Sequence, residues 1–116
     1  MKSIFLILTI FASFSAIAGE WITLTPENYN GFQIAQANNS ANQPEGLYVS
    51  FKSSFSTTST CTRKDFVVIT DPKLADRALS TLMFAQATAK SLKFYVDSTT
   101  LCAYQGPVAT MVTAIP

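Results

Sequence analysis

Histidine is missing from this 116-residue chain. Its absence removes the side chain that most often serves as general base near neutral pH and most often ligates zinc, and it excludes every histidine-based triad. Charge is sparse, at 13 % of residues, and nearly balanced, with eight Lys and Arg against seven Asp and Glu. The charges are scattered, so no basic stripe exists to displace counterions from a nucleic acid, and nucleic-acid binding is disfavoured. Cysteine occurs only at Cys61 and Cys102, far from the Cys-x-x-Cys spacing of a redox motif. No cofactor or metal is expected. The one long apolar run, Ile4 to Phe14, is too short to cross a hydrocarbon core of ~30 Å comfortably.

That run has another explanation. Lys2 precedes it and Ala16-Ile17-Ala18 ends it with small residues, which is the pattern of a signal peptide over residues 1–18 cleaved before Gly19. No cysteine adjoins the cleavage region, so lipid attachment of the bacterial lipoprotein kind has no site. The expected product is a soluble periplasmic or secreted protein with no membrane span. Residues 19–116 suffice for one domain with one core, near the size at which a covalent staple is useful.

Along that segment, Trp21 to Thr25 alternates apolar and polar residues before Pro26, as a short edge strand does. Gly31 to Ala37 reads as a second strand, followed by a polar loop from Asn38 to Gly46. Leu47, Val49 and Phe51 alternate with Tyr48, Ser50 and Lys52, the clearest half-buried strand, and this places Tyr48 outward. The Ser/Thr-rich run from Ser53 to Thr62 fits either a loop or a polar strand extension. Phe66-Val67-Val68-Ile69 suits a strand covered on both faces.

Asp71-Pro72 then supplies an N-cap and a first helical residue. The three- and four-residue spacing of Ala75, Ala78, Leu79, Leu82, Met83 and Gln86 predicts a helix from Lys73 to about Ala89 with these residues facing the core. Leu74, Phe84 and Ala87 suggest a second apolar face. The helix lacks the glycine that often supplies a left-handed terminus. Period two returns at Leu92, Phe94 and Val96, a loop containing Cys102 runs from Ser98 to Pro107, and Val108 to Ile115 forms the last strand.

The cysteines help to choose a topology. A disulfide needs Cα atoms within ~7 Å while strands advance ~3.3 Å per residue, so both cysteines must lie at one end of the sheet. A direct parallel crossover from the Phe66 strand to the Leu92 strand would separate them by a strand length. In a five-stranded OB-like Greek-key barrel, with the helix between strands three and four, the third strand runs parallel to the fifth. Cys61 and Cys102 then enter neighbouring parallel strands from one end. Exported proteins normally oxidise such a pair, and closing the loop contributes roughly 4 kcal/mol in the chain-entropy treatment.

The chain also resembles the B subunits of the subtilase-cytotoxin and typhoid-toxin group and the small exported bacterial proteins like them. The likeness rests on Glu20-Trp21, on Cys61 before a strand, and on Leu79 to Ala89 leading into Leu92-Lys93-Phe94-Tyr95-Val96. It covers chiefly Cys61 to Ile115. The resemblance implies an OB-fold that assembles as a homo-pentamer, binds surface glycans and docks a catalytic A subunit. Those subunits carry two disulfides where this chain can form one, and their sugar-contacting residues have no matched positions here.

Sugar binding needs aromatic faces beside polar groups, which makes Trp21, Tyr48, Tyr95 and Tyr104 the candidates, with Gln33 and Gln36 as amide donors. Cross-strand pairing or an interface is the competing use of such tyrosines. Asp65 and Asp71 flank one strand, but Asp71 is explained as a helix cap, so a carboxylate pair for glycoside cleavage is rejected. The Ser/Thr run offers hydroxyls with no recognisable base except Lys52 or Lys64. The expectation is therefore a binding protein rather than an enzyme, recognising a glycan or, in the alternative, a protein partner as a monomeric accessory factor.

Overall fold

The computed structural model describes residues 19–115, so the expected signal segment lies outside the described residues. Over these described residues the chain is mainly β with one helix and one disulfide. Its strands are β1 (Glu20–Leu24), β2 (Tyr29–Ala35), β3 (Gly46–Phe51), β4 (Phe66–Ile69), β5 (Ser91–Val96), β6 (Cys102–Ala103), β7 (Gly106–Pro107) and β8 (Met111–Ile115), with α1 (Pro72–Ala87) between β4 and β5. They form two three-stranded sheets, β1-β5-β8 and β2-β3-β4, and a small β6-β7 hairpin. All pairings between named strands are antiparallel.

Besides packing face to face, the two sheets are linked through the backbone at two places. A short 3-10 turn at Pro26–Asn28 carries the chain from β1 in one sheet to β2 in the other. At the opposite margin, Val68 and Val108 form a parallel bridge in which the Ala109 amide donates to the Val68 carbonyl at 2.8 Å. Cys61 and Cys102 thus precede segments that meet in parallel, and their Cα atoms lie 5.7 Å apart across a sequence separation of 41.

The main core lies between the sheets and α1. Leu24, Leu47, Val49, Val67, Ile69, Leu82, Leu92 and Phe94 are each at most 1 % exposed. The alternation at β3 and β5 puts one face of each strand there. Asp71 caps α1 by accepting from the Leu74 amide at 2.8 Å, with Pro72 at the first helical position. The helix ends without a glycine by placing Ala89 itself in the left-handed region, at φ 55°. Lys90 N–H then bonds the Ala85 carbonyl at 2.8 Å and Ala89 N–H the Gln86 carbonyl at 3.4 Å, the double closure of a Schellman terminus.

Several expectations are corrected. Met83 is 54 % exposed, because α1 turns only Ala78, Leu82 and Ala85 fully inward, whereas Leu79 and Ala75 pack at the core margin. The second strand sits two residues earlier than Gly31–Ala37, and the polar segment after it is closed by a bridge between Asn38 and Gln43. The Ser/Thr run is loop, pinned by the Glu20 carboxylate, which accepts from the Thr57 hydroxyl and from the Thr58 amide at 2.9 Å. Cys102 begins the β6-β7 hairpin rather than lying in an open loop, and the last strand is interrupted between the Val108 bridge and Met111.

Candidate functional site

Tyr48 departs furthest from expectation. Its side chain leaves β3 on the face opposite Leu47 and Val49, as alternation requires, yet it is only 5 % exposed. The β6-β7 hairpin covers it. Tyr48, Phe66, Val68, Ala103 and Val108 make a second buried cluster on the outer face of β2-β3-β4. The Tyr48 hydroxyl donates to the Pro44 carbonyl at 2.6 Å, which satisfies the polar end of an otherwise apolar burial. Burial holds this phenol above its ordinary pKa of 10.0.

The cover is held at both margins. The disulfide fixes Cys102 to the segment before β4, and the Arg63 amide donates to the Gln105 carbonyl at 2.8 Å. Gly106 lies so close to Phe66 that a Cβ there would come within 2.6 Å of the ring. Between β6 and β7 the chain reverses through Tyr104 and Gln105, at φ 49° and 75°. A two-residue turn with both φ values positive normally uses Asn-Gly or Asp-Gly, because side chains disfavour this region. Two bulky residues here retain a conformation that the surrounding bonds must impose.

That turn exposes Tyr104 by 44 % beside the buried Tyr48, with ring centroids 6.3 Å apart in an edge-to-face arrangement. Gln33, Gln43, Ser50, Arg63 and Phe66 complete a concavity with the two tyrosines. Gln33 pairs with Tyr48 in register, and the Asn38–Gln43 bridge positions Gln43. The Arg63 guanidinium lies 5.1 Å from the Phe66 ring centre and binds Asp65 through two bonds, of 2.8 and 3.0 Å. This pair holds the Asp65 carboxyl below its ordinary pKa. Two further clefts of about 340 and 330 Å³ also run past Tyr104 and Cys102, bordered by Asn39, Asn42, Thr60 and Thr62.

The sequence candidates therefore separate. Tyr48, Tyr104 and Gln33 converge, with Tyr48 as the floor rather than an exposed platform. Trp21 and Tyr95 are cross-strand partners on β1 and β5, their ring centroids 5.0 Å apart, and they stand in the other sheet. Gln36 is exposed beyond the end of β2 and borders none of these clefts. Gln43, Ser50 and Arg63 were missed. Ser50 was detectable, since it shares the alternate face of β3 with Tyr48, but Gln43 and Arg63 arrive from loops whose paths have no periodic signal. Asp71 is engaged as the helix cap and Asp65 with Arg63. No protein-family model matches the chain, and no curated protein or solved structure is significantly similar to it.

Proposed function

We propose that the protein is an exported, non-catalytic binding protein whose Tyr104-centred surface recognises a glycan. The observation that carries this reading is the presentation of Tyr104 in a turn where both residues have positive φ, at the meeting point of three concavities of mixed polar and apolar lining. A tyrosine ring offers a face for C–H stacking, and the amides of Gln33 and Gln43, the Ser50 hydroxyl and the Arg63 guanidinium offer hydrogen bonds to hydroxyls. The two clefts of about 340 and 330 Å³ beside Tyr104 are at the small end of ligand sites, as suits one or two sugar rings, while the concavity holding Gln33, Ser50 and Arg63, about 150 Å³, has room for a ring substituent only. The disulfide supports an oxidising compartment.

The same proposal reads the two sheets together as an OB-like barrel. Here β1 and β2 are the halves of one bent first strand, β3 and β4 are the second and third, β5 is the fourth, and the Val108–Ile115 segment is the fifth. The Val68–Val108 bridge supports this reading, because it supplies the parallel contact between third and fifth strands. Assembly into a ring of the toxin B-subunit kind draws support from Met83 and Phe84, which are 54 % and 56 % exposed on α1. Native mass measurement checks that element, and a monomer at micromolar concentration removes the ring while leaving the sugar site. Glycan-array screening of the oxidised exported form tests the function, with selective binding to a small set of glycans expected. Uniformly blank arrays at high protein concentration contradict it.

A further inference from the structure

Among the described residues strand β2 pairs with β3 alone, so its other edge offers unpaired backbone groups. Proteins usually blunt such an edge with lysine, proline or a bulge. The register of β2 shifts only near its start, between Tyr29 and Gly31, and the stretch from Phe32 to Ala35 has no charge and no proline. Phe32 and Ile34 are 39 % and 65 % exposed. They pair with Val49 and Leu47, so they continue the core-facing side of the sheet past its last covered strand.

Beside this edge, Ile34 and Leu47 form one wall of a groove and Ala75 and Leu79 of α1 form the other. Its volume of about 190 Å³ falls below the ~300 Å³ at which small-molecule sites begin. It has room for a side chain rather than for a drug-sized ligand. Glu45 and Asp76 border it, and among the described residues no basic one does. Neither carboxylate has an ion-pair partner among the described residues, where the salt bridge present is Arg63–Asp65.

We infer that the β2 edge and this groove dock an extended peptide segment of a partner protein, with an apolar side chain in the groove and Lys or Arg two residues away meeting Glu45 and Asp76. Side chains two apart on a strand share a face, so one segment can supply both contacts while its backbone adds to the sheet. The charge pattern favours this occupant over a second copy of the chain. Neither β2 nor β1 and β8, the two edge strands of the other sheet, contains a basic residue to meet the carboxylates.

The probe is the synthetic peptide Thr-Lys-Thr-Val-Thr-Lys-Thr, compared with versions in which both lysines become glutamate or the valine becomes serine. The lysine–valine peptide is expected to bind the oxidised protein at least tenfold more tightly than either control at low ionic strength, and to slow exchange of the β2 amides. The exposed double variant Glu45→Lys with Asp76→Lys should reverse the preference between the lysine and glutamate peptides. Equal binding of all three peptides, an unreversed preference, or slowed exchange away from β2 overturns the inference. A dimer abolished by Ile34→Lys overturns it too, by assigning the edge to a second copy. Because the Tyr104 surface is not involved, Tyr104→Ala should leave peptide binding unchanged whether or not a glycan binds there.

Discussion

The sheet β2-β3-β4 has two covered faces, and they are covered by different means. On one face Leu47, Val49, Val67 and Ile69 meet α1 and the second sheet, a broad apolar contact. On the other, Tyr48, Phe66 and Val68 lie under a hairpin whose strands are two residues each. Burying one large aliphatic or aromatic side chain contributes ~1.5–3 kcal/mol, so the first cover is held chiefly by area. The second has little area and is held by a disulfide, the Arg63–Gln105 backbone bond and the close fit of Gly106 on Phe66. A cover fixed from outside can retain a costly conformation at its tip, and here that tip presents Tyr104.

The largest expected effect lies on the broad face. Phe94→Ala should lower unfolding free energy by about 3–5 kcal/mol through lost burial and a residual cavity, read by denaturant titration. Exchange protection should fall everywhere together. Replacing both Cys61 and Cys102 with serine should cost about 2–4 kcal/mol, but unevenly. The Arg63 amide, bonded to Gln105, should lose hydrogen-exchange protection before the β5 amides do. If both variants loosen the two faces alike, the contrast between them is broken.

A smaller effect is expected from Tyr48→Phe, which removes the bond to the Pro44 carbonyl and should cost about 1 kcal/mol. This variant also has a pH signature. Burial raises the Tyr48 and Tyr29 phenols above 10.0 in the folded state, so the folded chain holds these protons more tightly than the unfolded chain. Their contribution is full below that value and is lost as pH rises above it. Denaturation followed from about pH 8 to about pH 11 should show falling stability, less steep in Tyr48→Phe. The smallest change is a gain. Gln105→Gly should relieve the left-handed strain of ~1–2 kcal/mol, offset in part by the entropy glycine adds to the unfolded chain, for a net gain of at most about 1 kcal/mol measured as a higher denaturation midpoint.

Legibility in the sequence follows the same contrast. The broad face was readable because Leu47, Val49 and Phe51, and again Leu92, Phe94 and Val96, alternate in period with their burial. Asp71-Pro72 located the helix start, and the cysteine geometry anticipated that the segments after Cys61 and Cys102 run side by side. The narrow face was not readable. Alternation correctly sent Tyr48 to the opposite side of β3, but it has no information about a later hairpin folding over that side. Two-residue strands are too short for a period, and Tyr-Gln is not a recognised turn pair, so Cys102 to Pro107 looked like loop. Met83 was misplaced because the inward arc of α1 is narrower than its apolar residues suggest.

In the proposed glycan-binding reading, the stapled hairpin presents Tyr104 as the ligand contact while Trp21 and Tyr95 serve as a cross-strand pair. The most direct test is binding of the best array glycan to oxidised wild type, Tyr104→Ala and Trp21→Ala, with folding of each verified by circular dichroism. Tyr104→Ala is predicted to weaken binding by at least tenfold, in line with the ~1–3 kcal/mol discriminating contribution of a good contact in a binding site, and Trp21→Ala to leave it within about twofold. Retained binding in Tyr104→Ala together with loss in Trp21→Ala would contradict the account.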